Sequence, residues 1–136
     1  MSHHISKTIR KLVAERAGYR CEYCRVLEED MFFVYQVEHI ISRKHGGATE
    51  LSNLAYACSI CNPNKGTDLG TILPGSLRLI RLFHPRKDKW QNHFEVENGE
   101  ILPKTKIGAA TVKVLDLNHP DRIILRRVLE QAGRYP

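Results

Sequence analysis

No stretch of this 136-residue chain approaches the ~18 consecutive apolar residues of a membrane span, which excludes a helical transmembrane protein. An apolar leader is missing as well. Met1-Ser-His-His-Ile-Ser-Lys runs straight into a charged stretch, so a reducing, cytoplasmic setting is expected over an oxidising one. Internal repeats and low-complexity tracts are absent, which removes solenoids and disordered tails from consideration. Acidic residues are in short supply, 15 Asp and Glu against 21 Lys and Arg, and the resulting net charge of +6 is that of a chain that meets polyanions. With 42% hydrophobic residues the chain can bury a core of its own, and residues 1–136 read as a single domain.

Cysteine is also sparse, and its placement is informative. The four cysteines form two matched pairs, Cys21-Glu-Tyr-Cys24 and Cys58-Ser-Ile-Cys61, with none left over. Each C-x2-C turn presents two thiolates from one direction, and two such knuckles complete a tetrahedral shell around one structural zinc. Two disulfides would need an oxidising compartment. A thioredoxin-type site would need one pair beside a βαβ pattern, whereas here there are two pairs and no such pattern, so structural zinc is the expectation. The histidines at positions 3 and 4 receive no role.

Between and around the knuckles the pattern is mixed. Ser6 to Gly18 has a capping serine, apolar Ile9, Leu12 and Val13 and a glycine stop, which predicts a short amphipathic helix. The aromatic and β-branched run from Met31 to Ile41 predicts an extended strand. A basic, glycine-bearing loop follows over Arg43–Glu50, then a second short apolar run from Leu51 to Ala57. A helix opens at Cys61, with Pro63 tolerated in its first turn. Further on, Asn98-Gly99 between Phe94-Glu-Val-Glu and Glu100-Ile-Leu predicts a two-residue hairpin. Helical spacing covers Ala109–Leu117 and Pro120–Gln131, the second with Ile123, Ile124, Leu125, Val128 and Leu129 on a broad apolar face.

These residues resemble the HNH endonucleases. The resemblance rests on Glu38-His39 closing the first strand, Gly46-Gly47 in the loop, Asn53-Leu54 opening the second strand, and Cys61-Asn62-Pro63-Asn64-Lys65-Gly66 on the helix. It covers Cys21 to Thr67. The segments Phe83–Trp90 and Gly108–Val112 also look like an extension found in bacterial members. The resemblance implies an α+β fold in which a zinc-stapled ββα-metal core over residues 17–70 carries an N-terminal helix. A hairpin-plus-helices extension over 72–136 would pack on that core.

Hydrolysis of a phosphodiester needs a water made nucleophilic, a cation beside the non-bridging oxygens and relief of charge on the departing oxygen. His39, with an ordinary pKa near ~6.5, can take the proton of water at neutral pH. A carboxylate and an amide oxygen suit Mg2+ or Mn2+. By resemblance Glu38 and Asn62 bind that ion, and the Asn53 amide bonds the loop backbone and fixes His39. Arg43, Lys44, His45 and Lys65 meet the phosphates of DNA. Glu38 stands where Asp is frequent and Asn62 where the family name has His. Each remains a hard oxygen ligand. His84, His93 and His119 fall outside the motif and read as structural. The expected activity is metal-dependent cleavage of DNA. The alternative is a zinc-stabilised nucleic-acid-binding module that does not cut, and a protein-interaction zinc domain would leave His39, Asn53 and Asn62 unexplained together.

Overall fold

Helix α1, Lys7–Arg16, begins where the Ser6 hydroxyl accepts the Ile9 amide hydrogen, and it buries Val13 and Ala14 while Leu12 faces solvent. The structure, a computed structural model, describes residues 4–136. After the first knuckle the expected long strand is short. Only Gln36–His39 forms β1, paired antiparallel with β2, Leu54–Ala57, in the register Gln36 to Ala57 and His39 to Leu54. The reason lies in the partner strand, because the chain after Ala57 turns into the second knuckle and leaves residues 31–35 nothing to pair with. Phe32, Phe33 and Val34 are consequently exposed despite their strand propensity. All four residues of β2 are buried, covered on both faces, and α2, Cys61–Lys65, leaves the second knuckle with Pro63 in its first turn.

The remainder is a set of small antiparallel and helical pieces. A hairpin that the sequence pattern does not announce, β3 (Gly70–Ile72) with β4 (Leu79–Arg81), follows α2. The short helix α3, Trp90–His93, leads into the expected hairpin of β5 (Phe94–Glu97) and β6 (Glu100–Pro103). Its turn residues Asn98 and Gly99 both have positive φ, 51° and 82°. Helices α4 (Lys106–Leu115) and α5 (Pro120–Gln131) complete an α+β fold with three two-stranded sheets among the described residues.

One expectation for α5 holds only in part. Its buried positions are Arg122, Arg126 and Leu129, whereas Ile124 and Val128 are each 55% exposed. The two arginines can be buried because each guanidinium finds several acceptors. Arg122 donates to the carbonyls of Leu115 and Asp116 and to the Cys61 sulfur. Arg126 donates to the carbonyls of Gly99 and Leu117 and to Asn118 Oδ1. Apolar periodicity alone does not register such satisfied cations.

The core is one continuous cluster that runs from the knuckles into the later elements. Trp90 Nε1 donates to the Tyr23 carbonyl at 2.9 Å, and the Tyr135 hydroxyl donates to the Cys24 carbonyl at 2.7 Å. The Phe83–Trp90 segment acts as a clasp here. Asp88 receives the His84 amide and both Arg81 guanidinium nitrogens, while Arg86 reaches Glu22 inside the first knuckle.

Candidate functional site

Cys21, Cys24, Cys58 and Cys61 are all buried, and their sulfurs lie within 4.8 Å of one another. The Cys24 and Cys58 sulfurs are 3.8 Å apart, far beyond a disulfide bond of ~2.05 Å. That separation is the edge of a tetrahedron with metal–sulfur bonds of about 2.3 Å, which gives about 3.8 Å. In each knuckle the amide of the second cysteine points at the sulfur of the first, at 3.4 Å for Cys24 and 3.3 Å for Cys61. The four cysteines are positioned to bind a metal such as zinc. Arg122 completes the surroundings at 2.9 Å from the Cys61 sulfur. Burial would depress its pKa, but the neighbouring thiolates, Cys61 foremost, outweigh burial and hold it above the ordinary arginine value.

The second site opens at the end of β1. Val37, Glu38, His39, Ser42, Arg43, Asn62 and Gly66 line an open cavity of about 230 Å3. Neighbouring strand residues ordinarily face opposite sides, and Glu38 and His39 do so here. Glu38 turns inward and His39 turns toward the loop, yet both border the cavity because the strand ends at His39.

The loop that holds His39 is built by one amide and two glycines. Asn53 Oδ1 accepts the Ile41 amide at 2.9 Å, and its Nδ2 donates to the carbonyls of Ile41 and Ala48, both at 2.9 Å. Gly46 closes the turn Arg43–His45 at φ 87°. Gly47 must lack a side chain, since a Cβ there would stand 1.7 Å from the Ile41 carbonyl oxygen and 2.8 Å from Asn53 Nδ2. His39 Nε2 meets the Thr49 hydroxyl at 2.8 Å. Arg43, Lys44 and His45 are exposed on the turn beside it.

Glu38 and Lys65 form the inward part. One Glu38 carboxylate oxygen accepts the Tyr23 hydroxyl and the other accepts Lys65 Nζ at 3.0 Å. Lys65 donates further to the carbonyls of Ile40, at 2.8 Å, and His39, at 3.3 Å. Burial pushes the Glu38 carboxyl above its ordinary range, against the opposing pull of Lys65 and Tyr23. The assignment of Lys65 to phosphate is corrected by this geometry. Its side chain is 2% exposed, because the register of α2 points it at the end of β1, where it ties helix to strand.

Of the residues singled out from the sequence, the fold therefore brings Glu38, His39, Asn62 and Arg43 to one cavity. Asn53 sits behind it, Lys44 and His45 beside it, and Lys65 beneath it. His84 and His93 take local structural bonds, His84 from the amides of Arg86 and Lys87 and His93 with Thr105, while His119 caps α5. Four contributors escape the motif reading: Ser42, Thr49, Tyr23 and Arg16. Arg16 donates to the carbonyls of Leu51 and Leu54 at 2.9 and 2.6 Å, bracketing Asn53. No pattern signals such a contact, because it joins a helix surface to backbone 35 and 38 residues away.

The fit of the cavity to a small hard cation can be judged from its donors. Glu38, Asn62 and Ser42, which carry carboxylate, amide and hydroxyl oxygens, border one space, and the Ser42 hydroxyl is buried with no hydrogen-bond partner among the described residues. Each Glu38 oxygen has one lone pair committed and one in reserve. The set is compatible with Mg2+ or Mn2+.

The family model described as HNH endonuclease matches residues 21–68. The Septu protein PtuB of Bacillus thuringiensis is 28% identical over 123 residues, 89% of this chain but 45% of that protein, so the chain spans less than half the length of this curated relative. No solved structure matches the chain. The matched segment runs from the first knuckle through both strands to the end of α2 and contains every residue bordering the cavity: residues 21–68 form a domain of the HNH endonuclease family.

Proposed function

We propose that this protein is an endonuclease that hydrolyses phosphodiester bonds of DNA, with His39 as general base. The observation that carries the reading is the meeting of His39, Glu38, Asn62 and Arg43 on one solvent-open cavity behind which Asn53 and Gly47 lock the loop. His39 is half-buried, bonded through Nε2 and bordered by polar groups, as a group that exchanges protons with water requires. It takes the proton of the attacking water. Glu38 and Asn62 would hold the divalent cation, which when bound lowers the charge on the phosphate and the departing 3′ oxygen. Arg43, Lys44 and His45 present positive charge and donors to the phosphates on either side. The four-cysteine centre, with its ligands all supplied by protein, serves as the frame.

Plasmid cleavage with Mg2+ or Mn2+ tests the reading, comparing the native chain with His39→Ala at equal zinc content. Loss of cleavage in the variant with zinc and fold retained is the expected result, on the order of a 100-fold drop or more. Equal cleavage by both proteins would remove His39 from the mechanism. Binding without cleavage by the native chain would favour the non-catalytic module, a reading to which the Glu38–Lys65 pair lends weight because it already neutralises the carboxylate.

A further inference from the structure

Thr49 lies four residues before Asn53, in a loop whose other polar positions face solvent, and no part of the motif reading assigns it a task. Its hydroxyl nonetheless meets the imidazole of His39, 2.8 Å from Nε2. The same oxygen lies 3.5 Å from Arg43 Nη1, so the residue read as the base and the residue read as a phosphate holder converge on one side chain.

We propose that Thr49 is the positioning residue of His39, an inference that rests on the reading of His39 as the base. The loop is built to hold this hydroxyl still. The carbonyl of Ala48, next in the chain, is fixed by Asn53 Nδ2, and Gly47 is pressed so closely against Ile41 that no other residue fits. The threonine side chain is β-branched and stiff about χ1, so a fixed backbone fixes the hydroxyl direction. A hydroxyl is also suited to both states of the ring. It can accept from Nε2–H of the neutral imidazole and so hold the direction of the ring. After transfer the ring carries both hydrogens, and Nε2–H still donates to Thr49 Oγ1, so the ring need not turn during the step. Bond and proton balance are those of hydrolysis: the water O–H breaks, an N–H forms on His39, the resulting hydroxide attacks phosphorus, and the bond from phosphorus to the 3′ oxygen breaks, that oxygen leaving to take a proton from solvent.

The experiment uses the full chain, zinc-loaded, with Thr49→Val and Thr49→Ser. Valine keeps the shape and removes the hydroxyl, and a drop of about 10 to 100-fold in kcat with KM changed less than about twofold is expected. Serine restores kcat to within about threefold. A second readout does not involve cleavage. In the native chain the side-chain 15N spectrum of His39 shows the Nε2–H tautomer as the dominant neutral form, and Thr49→Val loses that preference. Unchanged kcat and an unchanged tautomer in Thr49→Val would overturn the proposal. So would an equal loss in both variants accompanied by a lower Tm, which would mark Thr49 as merely structural. Failure of the native chain to cleave plasmid would sink the nuclease reading instead, and the 15N measurement keeps the two failures apart.

Discussion

The two polar centres of this molecule lie one short helix apart and are built in opposite ways. At the cysteine centre every ligand is buried, every sulfur has a sulfur neighbour, and a buried arginine from α5, Arg122, completes the surroundings. At the His39 cavity the groups other than the buried Glu38 are half-buried or exposed and are held from behind by a few directed hydrogen bonds. The closed centre has nothing to offer a substrate, whereas the open one has little to offer stability. Helix α2 joins them, carrying Cys61 to the first and Asn62 to the second on adjacent residues. Stability and chemistry should therefore fail separately, and the sharpest tests are those that break one while sparing the other.

Removing a cysteine should have the largest effect. Cys58→Ser, or extraction of the metal by a chelator, takes away a structural centre whose zinc binding is worth ~10 to 16 kcal/mol in small zinc peptides. The core around β2 and α2 should lose its cooperative melting transition by circular dichroism, and activity should vanish with it. A variant that melts like the native chain would show that the extension alone holds the fold.

Next comes the Glu38–Lys65 pair, which belongs to both centres. Tyr23, inside the first knuckle, and Lys65, at the end of α2, grip one buried carboxylate on β1. Lys65→Met leaves Glu38 buried without its cation, and the loss of one partner of a buried pair is destabilising by ~3 to 5 kcal/mol. The sign with pH follows from the raised Glu38 pKa. A carboxyl raised in the folded state favours folding most below its unfolded value, and that contribution fades as pH climbs through the folded one. With Lys65 gone the upward push of burial is unopposed by it, so the Tm deficit of Lys65→Met should be larger at pH 8 than at pH 5.5. A phosphate-contacting Lys65 would instead leave Tm untouched and weaken DNA binding.

Gly47→Ala should separate the regions in the other direction. The added Cβ collides with the Ile41 carbonyl and the Asn53 amide, so the loop must move and His39 and Thr49 with it. Cleavage should fall by about 100-fold or more while zinc stoichiometry and the far-ultraviolet spectrum stay native, since a misplacement of ~1 Å is enough for such a loss. Retained activity would mean that the loop geometry is not what positions His39.

How far the sequence reveals these regions differs between them for physical reasons. The cysteine centre is readable because metal ligation needs particular residue types at particular spacings, and the Asn98-Gly99 turn is readable because its positive φ angles demand particular residues. The α+β class and the ββα core are instead implied by the resemblance to the HNH endonucleases. Strand propensity over Met31–Tyr35 misleads, because a strand exists only where a partner runs beside it and β2 stops at Ala57. The apolar periodicity of α5 misleads too, since Arg122 and Arg126 are buried by acceptors from distant segments. Lys65 reads as a surface cation for the same reason. Its partner Glu38 is 27 residues away, and nothing local marks the pair.

Arg16 provides the smallest effect and the longest reach. It lies on α1, outside the segment matched by the family model, and its guanidinium clips the carbonyls of Leu51 and Leu54 on either side of Asn53. Arg16→Ala removes both bonds from a partly exposed position, so a loss of about 1 to 2 kcal/mol is expected, read as a Tm shift of a few degrees. The catalytic consequence should be out of proportion to that shift. Asn53 hangs between the two clipped carbonyls and alone holds Ile41 and Ala48, so kcat should fall several-fold with zinc content unchanged. Arg16→Lys, which can reach only one carbonyl at a time, should fall between the two. Should Arg16→Ala lower Tm without touching kcat, the open site would prove to be positioned by its own loop alone, and α1 would belong wholly to the stabilising half of the molecule.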